Sequence, residues 1–159
     1  MNYYRFVIAI FLALMLSLHQ PVSAQDIPTN GLELNTFNKE GLVKLVNELR
    51  QKGYDCGCKP QPVAEPVTWN DTLALAALRH SRDLYKNNRF SHYGSDSSTV
   101  GQRIKELGYD RWTCAENIMK GTLQVTEAFN SWRDSKGHCL NMMRSKFKKV
   151  GVARYGDIW

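Results

Sequence analysis

Between residues 38 and 134 the apolar residues recur at spacings of three and four, and only near the C-terminus do they alternate. Leu42, Leu45, Val46 and Leu49 fall on one helical face, with Asn38 placed to cap it and Gly53 where a left-handed C-terminal cap would sit. Leu73, Ala77, His80 and Leu84 form a second stripe, begun by Asn70 and ended at Asn87-Asn88. Thr99-Val100-Gly101-Gln102 is a capping-box pattern; it opens a short helix with Val100, Ile104 and Leu107 inward and Gly108 closing it. Val125, Ala128, Phe129 and Trp132 mark a further amphipathic helix, stopped before Gly137. Residues 112–119 have mixed β character, which puts Glu116 on a short strand or the loop beside it. Residues 149–155 read as a strand with Val150 and Val152 on one face. The stretch from Cys56 to Pro66, broken by Gly57, Pro60 and Pro62, reads as a loop. This order predicts an α+β domain in which helices cover a small antiparallel sheet.

The N-terminus carries a different pattern. Arg5 precedes an apolar run from Phe6 to Leu18, and Val22-Ser23-Ala24 offers small residues where a signal peptidase reads. Residues 1–24 are therefore expected to be a signal peptide, and a secreted or periplasmic location follows. The run is shorter than the roughly 20 residues a membrane span needs, so the mature chain is expected to have no span. Residues 25–37 lack a clear period and read as an exposed lead-in, leaving 38–159 as one domain.

Charge changes this picture little. Of 21 basic residues only Arg5 lies in the leader, so the remaining chain carries +5. Lys146, Lys148, Lys149 and Arg154 cluster, with Arg144 close by. They could face an anionic polymer or a lipid headgroup, but lysines at a sheet edge also discourage edge-to-edge pairing, and that reading is favoured. No nucleic-acid-binding motif accompanies them, so no nucleic-acid partner is expected, and the domain is read as a monomer.

The cysteines matter more. In an exported chain the even set Cys56, Cys58, Cys114 and Cys139 reads as two disulfides. A ring between Cys56 and Cys58 would be strained, so each is expected to join Cys114 or Cys139; both connectivities stay open. Either would tie the Gly53–Pro66 loop onto the later half of the domain. A four-thiolate zinc site normally uses C-x₂₋₄-C pairs, which one C-x-C and two isolated cysteines do not supply.

The candidate chemistry lies in three segments: Phe90-Ser91-His92-Tyr93-Gly94, Ala115-Glu116-Asn117-Ile118 and Gly137-His138-Cys139-Leu140-Asn141. Two imidazoles and a carboxylate among small or turn-forming residues are the ingredients of a metal or acid–base site. His80, on the apolar stripe of its helix, reads as a hydrogen-bonded core histidine able to orient something beneath that site.

These segments occur in a family order. His80-Ser81-Arg82-Asp83-Leu84, Phe90-Ser91-His92, Gly101-Gln102-Arg103-Ile104, Ala115-Glu116-Asn117-Ile118, Trp132, Ser135-Lys136-Gly137-His138, Asn141 and Val150-Gly151-Val152 together resemble the bacterial branch of the CAP superfamily. That is the SCP domain of cysteine-rich secretory proteins, antigen 5 and plant pathogenesis-related proteins. The resemblance covers about residues 40–159 and implies a three-layer α-β-α sandwich with a shallow cleft. It matches His92, Glu116 and His138 to the family's cleft histidine, cleft glutamate and second histidine, and in related domains the two histidines can hold a divalent metal such as zinc.

Three departures bear on that expectation. Ser135 stands where animal members carry a second glutamate. Ala115 replaces the common glycine before the cleft glutamate, and Lys136 replaces the proline before Gly137. The sequence also stops at Trp159, where relatives continue through a strand beginning Trp-Thr-Gln; either that strand is absent or the record is a truncated product, and the sheet is expected to be short.

Two functional readings lead. One is a secreted, non-catalytic binding module whose metal-capable cleft takes a lipid, glycan or protein. The other is a zinc-dependent hydrolase with His92 and His138 on the metal and Glu116 as general base; two protein ligands are one short of the usual three for catalytic zinc. A cysteine or serine hydrolase built on Cys139, Ser91 or Ser135 lacks a nucleophile motif.

Overall fold

The architecture follows from two helical groups closing over a narrow layer of extended chain. The computed structural model describes residues 37–110 and 113–159; the expected signal peptide, most of the lead-in and Trp112 lie outside the described residues. The elements run α1 (Lys39–Lys52), β1 (Tyr54–Asp55), β2 (Pro60–Gln61), β3 (Thr68–Trp69), α2 (Asp71–Lys86), α3 (Val100–Glu106), α4 (Val125–Asp134), α5 (Lys136–Met143) and β4 (Lys149–Val150). Helices α1, α4 and α5 pack together, and α2 packs on α3. The result is the α+β, three-layer α-β-α arrangement that the resemblance implied.

Helix starts obey the sequence. Asn38 and Asn70 accept from the third residue onward, Gly41 and Leu73, at 2.7 and 2.9 Å. Thr99 and Gln102 form the reciprocal capping box. The α1 stripe buries Leu42, Val46 and Leu49 against Ala128, Phe129 and Trp132 of α4, the central part of the core. On α2 the buried face is turned slightly from the expected stripe: His80 and Leu84 are buried, but Ala74, Ala76 and Ser81 join them while Leu73 and Ala77 stay half-buried.

The strand layer is where expectation and structure part. The expected strand over 149–155 is ordered as strand only at Lys149–Val150, which pairs with β3 in parallel rather than antiparallel fashion. Asn47 takes part of the work of a neighbouring strand: its amide donates to the Val67 carbonyl at 3.0 Å and accepts from the Val67 amide at 2.8 Å. Gly151 explains why the chain stays close after β4. A Cβ there would lie 2.1 Å from the amide nitrogen of Ala74, so only glycine lets this segment reach the first turn of α2. Residues 113–119 run extended without forming a strand, and Glu116 sits on that segment. Met119 exchanges both backbone hydrogen bonds with Trp159, whose indole donates to the Thr122 carbonyl at 2.8 Å.

Two further corrections concern the cysteines. The Cys56–Pro66 segment, read as loop, contains the second strand of the antiparallel β1–β2 hairpin, and the hairpin's turn carries Gly57 and Cys58 at positive φ. Cys56 at that turn is bridged to Cys139, one of the bonds expected from sequence, and it ties the hairpin to α5. The second expected bridge is not formed: Cys58 is exposed and Cys114 half-buried, both as free thiols. Cys114 lies instead beside α3, 3.8 Å from where a Cβ on Gly101 would stand. The segment around His138, read as a turn, is helix α5. The helical pattern was obscured because α5 follows α4 after the single residue Ser135, and its short run lacks a clear apolar stripe.

Arg50 is the core's unexpected member. At the end of α1 it is fully buried, and its guanidinium donates to four carbonyls: Glu65 at 2.7 Å, Met142 at 2.6 Å, Arg144 at 3.2 Å and Phe147 at 3.0 Å. Burial lowers its pKa, and the charge of Glu65 partly opposes that.

Two measurements check this arrangement. Arg50→Leu should lose roughly 3–5 kcal/mol of unfolding free energy in urea, because the four carbonyls are left without their donor; a loss below about 1 kcal/mol would show that water replaces the guanidinium. Alkylation of the unfolded, unreduced protein should label Cys58 and Cys114 alone, and labelling of Cys56 or Cys139 would contradict the bridge.

Candidate functional site

The site forms where the loop between α2 and α3 meets the extended segment 113–119 and the start of α5. Each part is held from below. Asp83 on α2 accepts from the amide and hydroxyl of Ser95, at 2.8 and 2.5 Å. His80, one turn before Asp83, has Nε2 3.0 Å from the Ser91 carbonyl. A carbonyl only accepts, so Nε2 carries the proton and His80 anchors the residue next to His92. The supporting role expected for His80 is what this geometry describes.

Glu116 is fixed from two sides. Its neighbour Asn117 donates to the His138 carbonyl at 3.1 Å and accepts from Asn141 at 2.9 Å. Through these amides α5 and the extended segment are registered against each other, which brings Glu116 and His138 to the same region. The Glu116 carboxylate then divides its oxygens: Oε1 accepts from His92 Nδ1 at 2.9 Å, and Oε2 accepts from Arg103 Nη2 at 2.5 Å. His80 Nε2 stands 3.7 Å from Oε1. Because an ionised carboxylate only accepts, His92 carries its proton on Nδ1 and keeps the Nε2 lone pair available. The His92 side chain is about half exposed, whereas that of Glu116 is mostly buried.

His138 is partly buried at the start of α5. Burial lowers its pKa, and proximity to His92 lowers it further. Its Nδ1 is buried without a hydrogen-bond partner. The structure thus brings His92 and Glu116 into direct contact and sets His138 close enough that a protonated His92 would disfavour its charging. The cysteines make no part of this set, although Cys139 adjoins His138 in sequence: Cys139 is fully buried in its disulfide.

Arg103 was not among the candidates, yet it touches more of the site than any of them. It is buried on α3 beside Ile104, and it holds the His92 carbonyl and the Ser98 carbonyl as well as Glu116. A signal existed. Arg103 falls three residues after Val100 and beside Ile104, on the face predicted to point inward, where a charged residue requires partners.

The donor set limits what a metal would find here. His92 has an oriented tautomer, and His138 Nδ1 has no hydrogen-bond partner among the described residues. Both Glu116 oxygens are engaged. Among the described residues no group of three or more His, Cys, Asp or Glu side chains is gathered to hold a metal ion. Arg103 and Glu116 also line a half-open cavity of about 190 Å³, whose other walls are mainly apolar side chains such as Val46, Val67, Ile104, Trp132 and Trp159.

Comparison with known proteins gives a consistent result. The family model "CAP: Cysteine-rich secretory protein family" matches residues 43–157. The chain is 30% identical over 120 residues to "Uncharacterized membrane protein YlbC" of Bacillus subtilis, covering 76% of this chain and 32% of that protein. It thus spans about a third of that relative's length. Among solved structures it resembles an extracellular protein containing an SCP domain from Bacillus anthracis, with a TM-score of 0.65 and 25% identity over 75% of this chain and 37% of that one. An outer surface protein of Borrelia burgdorferi shares the fold, at a TM-score of 0.54 and 21% identity over 79% of this chain and 81% of that one. Among the described residues no helix is long and apolar enough to cross a membrane.

The site's histidines make stability depend on pH. Burial lowers the pKa of His80 against the opposing pull of Glu116. An unfolded histidine titrates near about 6.5, so below that value the unfolded chain takes up a proton that folded His80 resists. Stability is full above about pH 6.5 and falls as the pH drops through the window beneath it. His80→Gln should flatten that part of the curve, read from urea midpoints between pH 4.5 and 7.5 (about two pH units below the ordinary histidine value and one above). An unchanged slope would show that His80 is not held neutral.

Proposed function

The chain belongs to the CAP family of cysteine-rich secretory proteins, and on that footing we propose that it is a secreted binding module whose two-histidine cleft recognises a ligand without turning it over. The observation that carries this reading is the state of Glu116. A general base needs a free oxygen facing a water or substrate proton. Here one oxygen accepts from His92 and the other from Arg103, and these two bonds favour Glu116 as an orienting carboxylate over a general base. It holds the imidazole of His92 in one tautomer, the task a carboxylate performs behind a metal-ligating or ligand-binding histidine.

In this reading His92 and His138 face the ligand directly. They can bind it through a divalent ion such as zinc, whose remaining positions water or ligand oxygens would fill. The hydrolase reading asks more: a third protein ligand and a carboxylate free to take a proton, and neither is supplied by the residues gathered here. Secretion is supported by the Cys56–Cys139 bridge, which suits an oxidising compartment. It is supported too by the likeness to a protein described as extracellular. The ligand class stays as broad as the family's: a lipid, a cell-wall glycan or a protein. The basic cluster supplies no argument for nucleic acid, since Lys149 is turned onto Thr68 at 2.8 Å and Arg144 lies over the Phe147 ring.

Calorimetric titration of the metal-free protein with zinc should give saturable, weak binding that His92→Ala and His138→Ala each abolish. Absence of any heat of binding would remove the metal from the reading. Across a panel of ester, peptide and peptidoglycan substrates, wild type and Glu116→Gln should both be inactive. Turnover by wild type that Glu116→Gln loses would establish the hydrolase instead.

A further inference from the structure

Arg103 holds both the backbone and, through Glu116, the ring of a cleft histidine, and its arrangement has a chemical consequence. Its Nη1 donates to the Ser98 carbonyl at 2.8 Å and to the His92 carbonyl at 3.3 Å; its Nη2 donates to the His92 carbonyl at 3.4 Å and to Glu116 Oε2 at 2.5 Å. We infer that Arg103 is a positioning residue that sets the tautomer and direction of His92 through Glu116, and thereby governs the affinity of the cleft for a divalent cation. The affinity part rests on the metal-capable reading above.

The argument turns on which histidine the carboxylate serves. Two imidazole nitrogens approach Glu116 Oε1: His92 Nδ1 at 2.9 Å and His80 Nε2 at 3.7 Å. His80 has its own acceptor in the Ser91 carbonyl. By taking Oε2, Arg103 leaves Oε1 to His92 and fixes the plane of the carboxylate. It also keeps that carboxylate an acceptor, so the His92 proton stays on Nδ1 and the Nε2 lone pair points away from Glu116. Gripping the carbonyl of His92 with the same group removes the backbone freedom that would let the ring turn. A lysine could not substitute: one ammonium on a flexible stem does not reproduce a planar fork that reaches two carbonyls and a carboxylate together. Partners that orient a ligating histidine are worth about 10–100-fold in metal affinity.

The test compares Arg103→Lys and Glu116→Gln with Gln102→Ala, which breaks the capping box of the same helix without touching the clamp. Imidazole nitrogen NMR on the metal-free proteins at about pH 8, about 1.5 units above the ordinary histidine pKa, reads the tautomer. Wild type and Gln102→Ala should show His92 as the Nδ1–H form alone. Arg103→Lys and Glu116→Gln should show a mixture, and zinc titration should weaken about 10–100-fold in both. The inference is overturned if His92 keeps the Nδ1–H form in Arg103→Lys, or if Gln102→Ala disturbs it equally. If Arg103→Lys does not fold, an unmixed tautomer in folded Glu116→Gln overturns it as well. Should wild type bind no zinc, the metal reading fails and the affinity part falls with it, while the tautomer comparison still decides what Arg103 does.

Discussion

A buried guanidinium that donates to four carbonyls holds the two ends of this domain together. Arg50 lies in the last turn of α1, and its four carbonyl partners lie just before β3, at the end of α5 and in the turn leading to β4. Those carbonyls belong to places where regular structure stops and backbone oxygens lose their helical or ladder partners. One planar group with five donors satisfies them together, which no apolar side chain could do. The Cys56–Cys139 bridge reinforces the same join from the outside by tying the β1–β2 hairpin to α5. Because His138 lies in the first turn of α5, the position of one candidate histidine is set by a charge at the far end of its own helix.

The cleft repeats the device on a smaller scale. Arg103 does for the loop 91–98 and for Glu116 what Arg50 does for the termini of α1 and α5. In both cases a long cation on an inward helix face replaces water for acceptors that strands or helices do not reach. The difference lies in the partners. Arg50 donates only to carbonyls and has a structural part. Arg103 also meets a carboxylate, and through it a half-exposed imidazole, so its influence extends to the surface. The clamp is accordingly buried at Arg103 and Glu116 and reaches the surface at His92.

Local features were legible because they depend on near neighbours. The caps at Asn38, Asn70 and Thr99, the α1 stripe and the stop at Asn87 are each decided within four residues, and each was formed as the pattern predicted. Helix α5 was missed because eight residues in direct succession to α4 carry no apolar period of their own; burial of Cys139 and Met143 and packing on α4 make them a helix. The strand over 149–155 was overread for the complementary reason. Alternation of Val150 and Val152 records a face that packs on the core, but a ladder needs a partner along its full length, and β3 pairs only two residues of it. The Cys56–Cys139 bridge was among the expected pairings, and only the second bridge failed: an even count says nothing of where Cys114 lies, and it lies by α3.

Order along the chain and residue type were enough to settle the family and the α+β class, and they singled out His92, Glu116 and His138 as candidates. What those residues can do was settled by folding. Whether Glu116 is a base or an orienting group depends on which donors reach its two oxygens, and those donors come from His92 and Arg103, 24 and 13 residues away along the chain. Protonation, tautomer and free lone pairs are properties of neighbours in space, so they appear only once the chain has folded.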